Sequence, residues 1–338
     1  MRLAVRLPNT NRVASPQAVL TVAETAEELG YYAVSVDDHL IFDGSWFSCG
    51  APDAKGEGDD RDKLEALQTL AFVAGRTRHL RLLVAVLLIP VREPILVAKQ
   101  TATLDVLSGG RLIVGAGLGG LTRPKDADAS VIQRTRRSNH VKEYAAFGVS
   151  GNRAGMVEER LRAIDAIWRE EKASFAGRYV SFEEIECFPK PVQKPRPPIW
   201  VGGRSEAARR RALTLGDAWL PSQISAPAYE DGLQHLRQLA RELGRPVPVS
   251  YPVNLFAVVA DTDERAFELA SQTLGPQFSS LEELRARTIV GSSHSVRRRM
   301  EEYAEAGANT MELKPLYRSV PHLLDQMGTF AHIGADLA

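Results

Sequence analysis

The sequence predicts an α/β protein of the (β/α)8 TIM-barrel class, with insertion segments in the loops that follow its strands. Three observations carry that expectation. Short apolar strands alternate with amphipathic helices eight times along 338 residues. Four helices run into a glycine and, within a few residues, into a strand. Connections of the opposite sense, from strand to helix, are long. Tight turns at one end and long loops at the other mark an alternating chain whose function sits on one face.

The strands are expected at Arg2–Leu7, Ala33–Val36, Leu80–Val86, Leu112–Gly117, Pro198–Gly202, Ala218–Leu220, Val253–Val259 and Thr310–Leu313. Most are short and apolar, which suits parallel strands covered on the outside by helices. Eight alternations favour a closed ring over an open sheet. The four junctions are Glu28-Leu29-Gly30 into Ala33, Ser108-Gly109-Gly110 into Leu112, Leu215-Gly216 into Ala218, and Ala306-Gly307 into Thr310. Glycine ends a helix cheaply because it tolerates the left-handed conformation past the last turn. Ser15-Pro16, Glu93-Pro94, Ser205 and Ser292 suit helix N-termini. Residues 1–338 are expected to form one domain with three added segments. These are a Gly/Asp-rich stretch at 42–62, a polar and basic one at 118–149, and 175–198, which is expected to form a hairpin and then a proline-rich connector.

Lys+Arg and Asp+Glu both total 42, so the formal net charge is zero. That argues against nucleic acid and anionic membrane surfaces as partners, which need positive excess. Cys49 and Cys187 are far apart and show no CxxC spacing, so neither a disulfide framework nor a metal site is expected. A reduced, cytoplasmic setting follows. The N-terminus carries Arg2 and Arg6 within its apolar stretch and is expected as a strand, not a signal peptide. The longest apolar run, Leu82 to Val91, is too short to span a bilayer.

Asp37-Asp38-His39 ends the second strand, on the face where barrel active sites are built. Histidine there can hold a ligand or exchange a proton, since its ordinary pKa lies near neutrality; a loop histidine beside solvated aspartates is the plain alternative. Gly202-Gly203-Arg204-Ser205 joins the fifth strand to a helix, where exposed N–H groups and the positive helix end favour a phosphate, against an ordinary Ser N-cap. Gly115-Ala116-Gly117-Leu118-Gly119-Gly120 matches GxGxxG. No clean helix follows and no acidic residue stands about 20 positions on, so a dinucleotide fingerprint is rejected. Its glycines either open the strand's mouth to a flat ring or pack tightly at the rim. Arg134-Arg136-Arg137 and Arg209-Arg210-Arg211 read as solvated faces, and Trp168 and Trp219 as packing residues. Cys49 is a poor nucleophile candidate.

At these residues the chain resembles the bacterial luciferase-like monooxygenase family over nearly its whole length. The likeness is carried by Glu28-Leu29-Gly30-Tyr31 through Asp38-His39-Leu40, by Ala98-Lys99-Gln100 through Gly109-Gly110-Arg111, and by Pro189-Lys190-Pro191 through Gly202-Gly203 into Leu215-Gly216-Asp217-Ala218-Trp219. The resemblance implies an oxidoreductase with a flavin-type cofactor at the C-terminal mouth of the barrel, a small-molecule substrate and a homodimer. Asp38-His39-Leu40 is more similar to the coenzyme F420 branch than to the FMN-dependent one. His39 inherits the place beside the reactive ring carbon. The family's non-proline cis peptide falls near Ala85-Val86, under the cofactor's central ring. Gly117 lies at the open mouth of the fourth strand, and Gly202, Gly203, Arg204 and Ser205 map to the phosphate site. Gly120 stands where sugar-phosphate-oxidising relatives carry glutamate, which argues against that reaction. The basic stretch 123–142 looks longer than is usual in the family, and its basic residues could cover the anionic tail of the cofactor. Beside F420-dependent hydride transfer stand two alternatives, an FMNH2- and O2-dependent monooxygenase and a non-catalytic flavin-binding barrel.

Overall fold

The structure, a computed structural model, describes residues 1–42, 49–51, 53–119 and 139–337. Its strands are β1 (Arg2–Arg6), β2 (Ala33–Val36), β3 (Arg81–Leu88), β4 (Leu112–Gly117), β5 (Ala173–Ala176), β6 (Ser181–Ile185), β7 (Ile199–Gly202), β8 (Ala218–Leu220), β9 (Pro252–Val259), β10 (Ile289–Gly291) and β11 (Thr310–Pro315). Nine of them form a curled parallel sheet in the order β10-β9-β11-β1-β2-β3-β4-β7-β8. The chain just past β8 then meets β9. A parallel bridge joins Ser222 to Asn254, with the Asn254 N–H donating to Pro221 and the Gln223 N–H donating to Asn254. Farther along β9, Ala257 to Val259 pair with β10 instead.

Side-chain alternation along the strands separates two environments. On β11, Met311 and Leu313 join the main apolar core beneath the helices, whereas Glu312 and Lys314 face the other way. All four are buried. Among the described residues, no helix is long and apolar enough to cross a membrane.

The expected helix starts are all capped as read. Ser15, Glu93, Ser205 and Ser292 each accept from the backbone N–H three residues on. Gly30, Gly109, Gly110 and Gly307 adopt positive φ, but Gly216 does not, at φ −125°. Its reason is space, since a Cβ there would stand 2.8 Å from Val201 Cγ2 and 3.0 Å from the Ile199 carbonyl. Two further corrections concern strands. β3 continues to Leu88, two residues past its expected end, and β10 was not foreseen because its three residues follow no helix-ending glycine.

The hairpin expected within 175–198 is present as antiparallel β5 and β6. Gly120, most of the 123–142 stretch, and Arg134, Arg136 and Arg137 lie outside the described residues. The 42–62 segment is described at 42, 49–51 and 53–62.

Candidate active site

A cavity of about 730 Å³ opens where the strands finish. Its wall takes residues from the ends of β1, β2, β3, β4, β7, β8, β9 and β11. Every residue expected at the site, from Asp38 and His39 through Ala85, Val86 and Gly117 to Gly202, Gly203, Arg204 and Ser205, lines this one space.

His39 stands on the loop after β2. Its Nδ1 lies 2.9 Å from Glu143 Oε2, and both side chains are buried. Glu143 comes from the helix Asn139–Ala146. Its other oxygen accepts from the N–H groups of Leu40 and Ile41 at 2.5 and 3.1 Å. Burial works against the charge, but the His39 bond and these two N–H groups outweigh it and hold Glu143 below the usual carboxylate range. A carboxylate accepts only, so Nδ1 carries a proton here, and whenever the ring is neutral the lone pair is on Nε2.

Asp38, next in the chain, is fully engaged. Arg92 grips both its oxygens, at 2.5 and 2.9 Å, and the Leu88 N–H donates to it at 2.9 Å. Arg92 also pairs with Glu65 at 2.7 Å, the residue that caps the helix Ala66–Ala74. Asp38 therefore fixes the loop that carries His39 to the end of β3.

The Ala85–Val86 peptide is cis, at the position the resemblance implied. There the pairing of β3 with β4 shifts register between Val84 and Leu87. The neighbouring glycines make room for this bulge. A Cβ on Gly117 would lie 2.3 Å from Val86 Cγ2, one on Gly202 3.1 Å from Val86 Cγ1, and one on Gly115 2.1 Å from the Val84 carbonyl. The strand-four glycines thus pack tightly at the rim, and Gly117 and Gly119 also line the cavity.

The turn after β7 is held from below. Trp219 donates its indole N–H to the Gly203 carbonyl at 2.6 Å, and Arg204 Nη1 donates to the Gln223 carbonyl at 3.0 Å. Gly203 has φ +119°, a conformation that side chains resist. Trp219 and Trp168 are buried packing residues as expected, Trp219 stacking on Tyr229 at 5.8 Å. The reading of Arg209 to Arg211 as a solvated face fails at Arg211, which is buried against Glu158 and reaches the cavity.

Arg6, Asp37 and Lys314 in the cavity wall join Glu312 and Lys63 in a cluster of charges that sequence reasoning missed. Arg6 pairs with Glu312 at 2.8 Å and Asp37 at 3.4 Å, and Lys63 pairs with Asp37 at 2.5 Å. Ser35 donates to Glu312 at 2.6 Å, and Arg6 also donates to the Ala85 carbonyl at 3.0 Å. Burial opposes the charges on Arg6 and Asp37, but their partners prevail, raising Arg6 and depressing Asp37. Lys314 is pushed down to about 8 by burial, against Glu312, which raises it. Cys49 is raised to about 11 by burial, so little thiolate forms near neutrality and it is no nucleophile. A signal existed for this cluster. Arg6, Glu312 and Lys314 are charged residues inside otherwise apolar strands, where charge is rarely buried without a partner.

The luciferase-like monooxygenase family model matches residues 1–282. An FMNH2-dependent dimethylsulfone monooxygenase of Pseudomonas putida is 30% identical over 215 residues, 62% of this chain and 53% of its own length. The chain thus spans about half of that relative. Among solved structures, a monooxygenase from Streptomyces bottropensis superposes with a TM-score of 0.76 at 20% identity, covering 99% of each chain. An F420-dependent secondary alcohol dehydrogenase superposes at 0.77 and 16% identity, covering 100% of this chain and 99% of that one.

Proposed function

The chain belongs to the luciferase-like monooxygenase family, and from that premise we propose that it is an oxidoreductase that uses coenzyme F420 to move a hydride to or from a small organic substrate. The observation that carries this reading is His39, an imidazole in the cavity wall whose Nδ1 is pinned by the buried carboxylate of Glu143. Hydride transfer at a carbonyl or alcohol carbon needs a proton exchanged at the adjacent oxygen, and a positioned imidazole supplies that.

The residues present fit such a cofactor. The cavity of about 730 Å³ lies within the roughly 300–1,000 Å³ usual for small-molecule and cofactor sites. Its walls offer an apolar ridge at Ala85 and Val86 and a glycine turn ending in a helix N-terminus. When bound, the deazaflavin would carry the hydride in either direction, and such a cofactor reacts poorly with oxygen. The protein supplies orientation and electrostatics. Val86 and Gly117 form the wall against the ring system, while Gly202, Gly203, Arg204 and Ser205 receive a phosphate. Asp38, through Arg92, holds the His39 loop in place. His39 holds or releases the proton at Nε2, and Glu143 steadies the ring as it does so. In this reading the sheet is a (β/α)8 barrel closed across the Ser222–Asn254 bridge, and the chain is one domain.

The second reading is an FMNH2- and O2-dependent monooxygenase, favoured by the 30% identity to the dimethylsulfone enzyme. Side-by-side equilibrium titration of the purified protein with F420 and with FMN separates the two. Tighter binding of F420 is expected. A clear preference for FMN, with oxygen uptake when a flavin reductase is added, would replace the first reading by the second.

A further inference from the structure

Three cations, Arg6, Lys63 and Lys314, and two carboxylates, Asp37 and Glu312, cluster at the cavity wall. Asp37 and Glu312 are taken by Arg6 and Lys63. Lys314 is left over, for among the described residues it makes no ion pair. It is buried in the cavity wall, and its Nζ lies 3.3 Å from Ser222 Oγ and 3.9 Å from the centre of the Phe256 ring. Glu312 keeps one oxygen, Oε2, buried without a hydrogen bond, yet Lys314 is not within ion-pair distance of it. Beside Lys314, Asn254 accepts from Ser222 through Oδ1 at 2.8 Å. That directs its amide hydrogens elsewhere, and among the described residues they meet no acceptor. An ammonium and an amide donor thus border one space, with the Phe256 ring as an apolar wall.

We propose that Lys314 and Asn254 form the subsite for a carboxylate on the substrate, so that the protein acts on small organic acids with an apolar body. The proposal rests on the oxidoreductase reading above and names the substrate class of the same cavity. Two donors on neighbouring strands match the two oxygens of a carboxylate, and bonds to charged groups are the stronger kind. Adding one negative charge balances the surplus cation. The glycine turn at Gly202–Ser205 is a separate anion site on β7, and a phosphate there leaves Lys314 unanswered.

The charged and titratable groups facing Lys314 are Glu312 on its own strand, Arg6 on β1, Asp37 after β2 and Cys49. Of these, burial and Arg6 favour the neutral amine, while Glu312, Asp37 and Cys49 favour the ammonium. A bound carboxylate adds to the second group and raises the value further. Carboxylate binding is therefore strongest below the lysine's own value and weakens as pH rises through about 8 and beyond.

Calorimetric titration with benzoate and with benzamide tests the subsite, on the full chain both as purified and saturated with F420. Benzoate is expected to bind more tightly at pH 7, and the preference to fade at pH 10. Lys314→Met should weaken benzoate by about 10- to 100-fold, the range for losing a hydrogen bond to a charged group, and leave benzamide nearly unchanged. Lys314→Arg keeps the charge and should keep a preference for benzoate. Circular dichroism of each variant checks that it folds. Equal binding of the two probes by the wild type, or equal losses for both in Lys314→Met, would overturn the subsite. So would an unchanged benzoate preference in Lys314→Met accompanied by lost F420 affinity, which would assign Lys314 to the cofactor. The F420 titration is read separately. Failure there removes the oxidoreductase reading, whereas intact F420 binding without a benzoate preference removes this inference alone.

Discussion

Replacing Glu143 by glutamine keeps the shape and removes the charge, and three hydrogen bonds feel the change. Leu40 and Ile41 donate their N–H groups to one carboxylate oxygen, and His39 Nδ1 meets the other. A glutamine has one oxygen. Keeping it on the two backbone donors aims its NH2 at Nδ1, which must then accept and surrender its proton to Nε2. The opposite orientation strands two backbone donors against an NH2 group. The first arrangement therefore wins, and His39 takes the other tautomer. Exchanging charge-assisted bonds for neutral ones costs about 1 kcal/mol each, so about 3 kcal/mol of stability is expected to go. Turnover should fall by about 10²-fold, the scale of a lost acid/base group, and up to about 10⁴-fold, the scale of the comparable tautomer fault in the serine-protease triad. Nitrogen-15 NMR of the His39 ring reads the tautomer directly, and deazaflavin absorbance reads turnover. An acid-unfolding series adds a third check. Glu143 is depressed in the folded state, so its contribution is present above the unfolded value of about 4.3 and is lost as pH falls through the folded one. Glu143→Gln should flatten that limb. An unchanged tautomer, or turnover equal to the wild type, would refute the reasoning.

Four further changes separate the parts of the site. His39→Ala should cut turnover by about 100-fold or more while leaving F420 binding measurable by fluorescence; undiminished turnover would remove His39 from the mechanism. Gly117→Ala sets a Cβ 2.3 Å from Val86 Cγ2, an overpacking expected to cost about 1–3 kcal/mol in urea unfolding. Adding Val86→Ala should restore part of that loss, and no rescue would separate the two residues. Arg92→Met strands the buried Asp38 carboxylate, for an expected loss of about 3–5 kcal/mol; a loss below about 1 kcal/mol would show that Asp38 does not depend on it. Lys314 has a folded value of about 8 against 10.5 unfolded, so the unfolded chain binds more protons between those values and stability rises with pH there. Relative to Lys314→Met, the wild type should gain up to about 3 kcal/mol across that window, and parallel curves would contradict the buried setting of the lysine.

Much of the fold was legible because it is written in local terms. Glycines at helix ends, serine caps and apolar runs each act within a few residues, and all eight expected strands appear. β10 escaped because it is three residues long and lacks the helix–glycine junction that marks the equally short β8. Gly216 looked like the other junction glycines, yet its requirement comes from Val201 and Ile199 on β7, a tertiary contact that no local pattern records. At the site, Asp38 and His39 could be placed on the functional face from their position after β2. Their roles could not. Glu143 lies 104 positions from His39 and is set by tertiary contact alone, as is Arg92 for Asp38.

The buried charge cluster raises a physical question that the rest of the curled sheet does not. Barrel interiors are normally filled by branched apolar side chains, and an isosteric apolar replacement for a buried ion pair is often neutral or stabilising. Arg6, Asp37, Lys63, Glu312 and Lys314 are therefore a poor choice if packing were their only task. Arg6 also joins two parts of the site, since one guanidinium holds Glu312 and donates to the Ala85 carbonyl at the bulge. In the proposed reading, one side chain thus touches both the charge cluster beside Lys314 and the bulge that carries Val86.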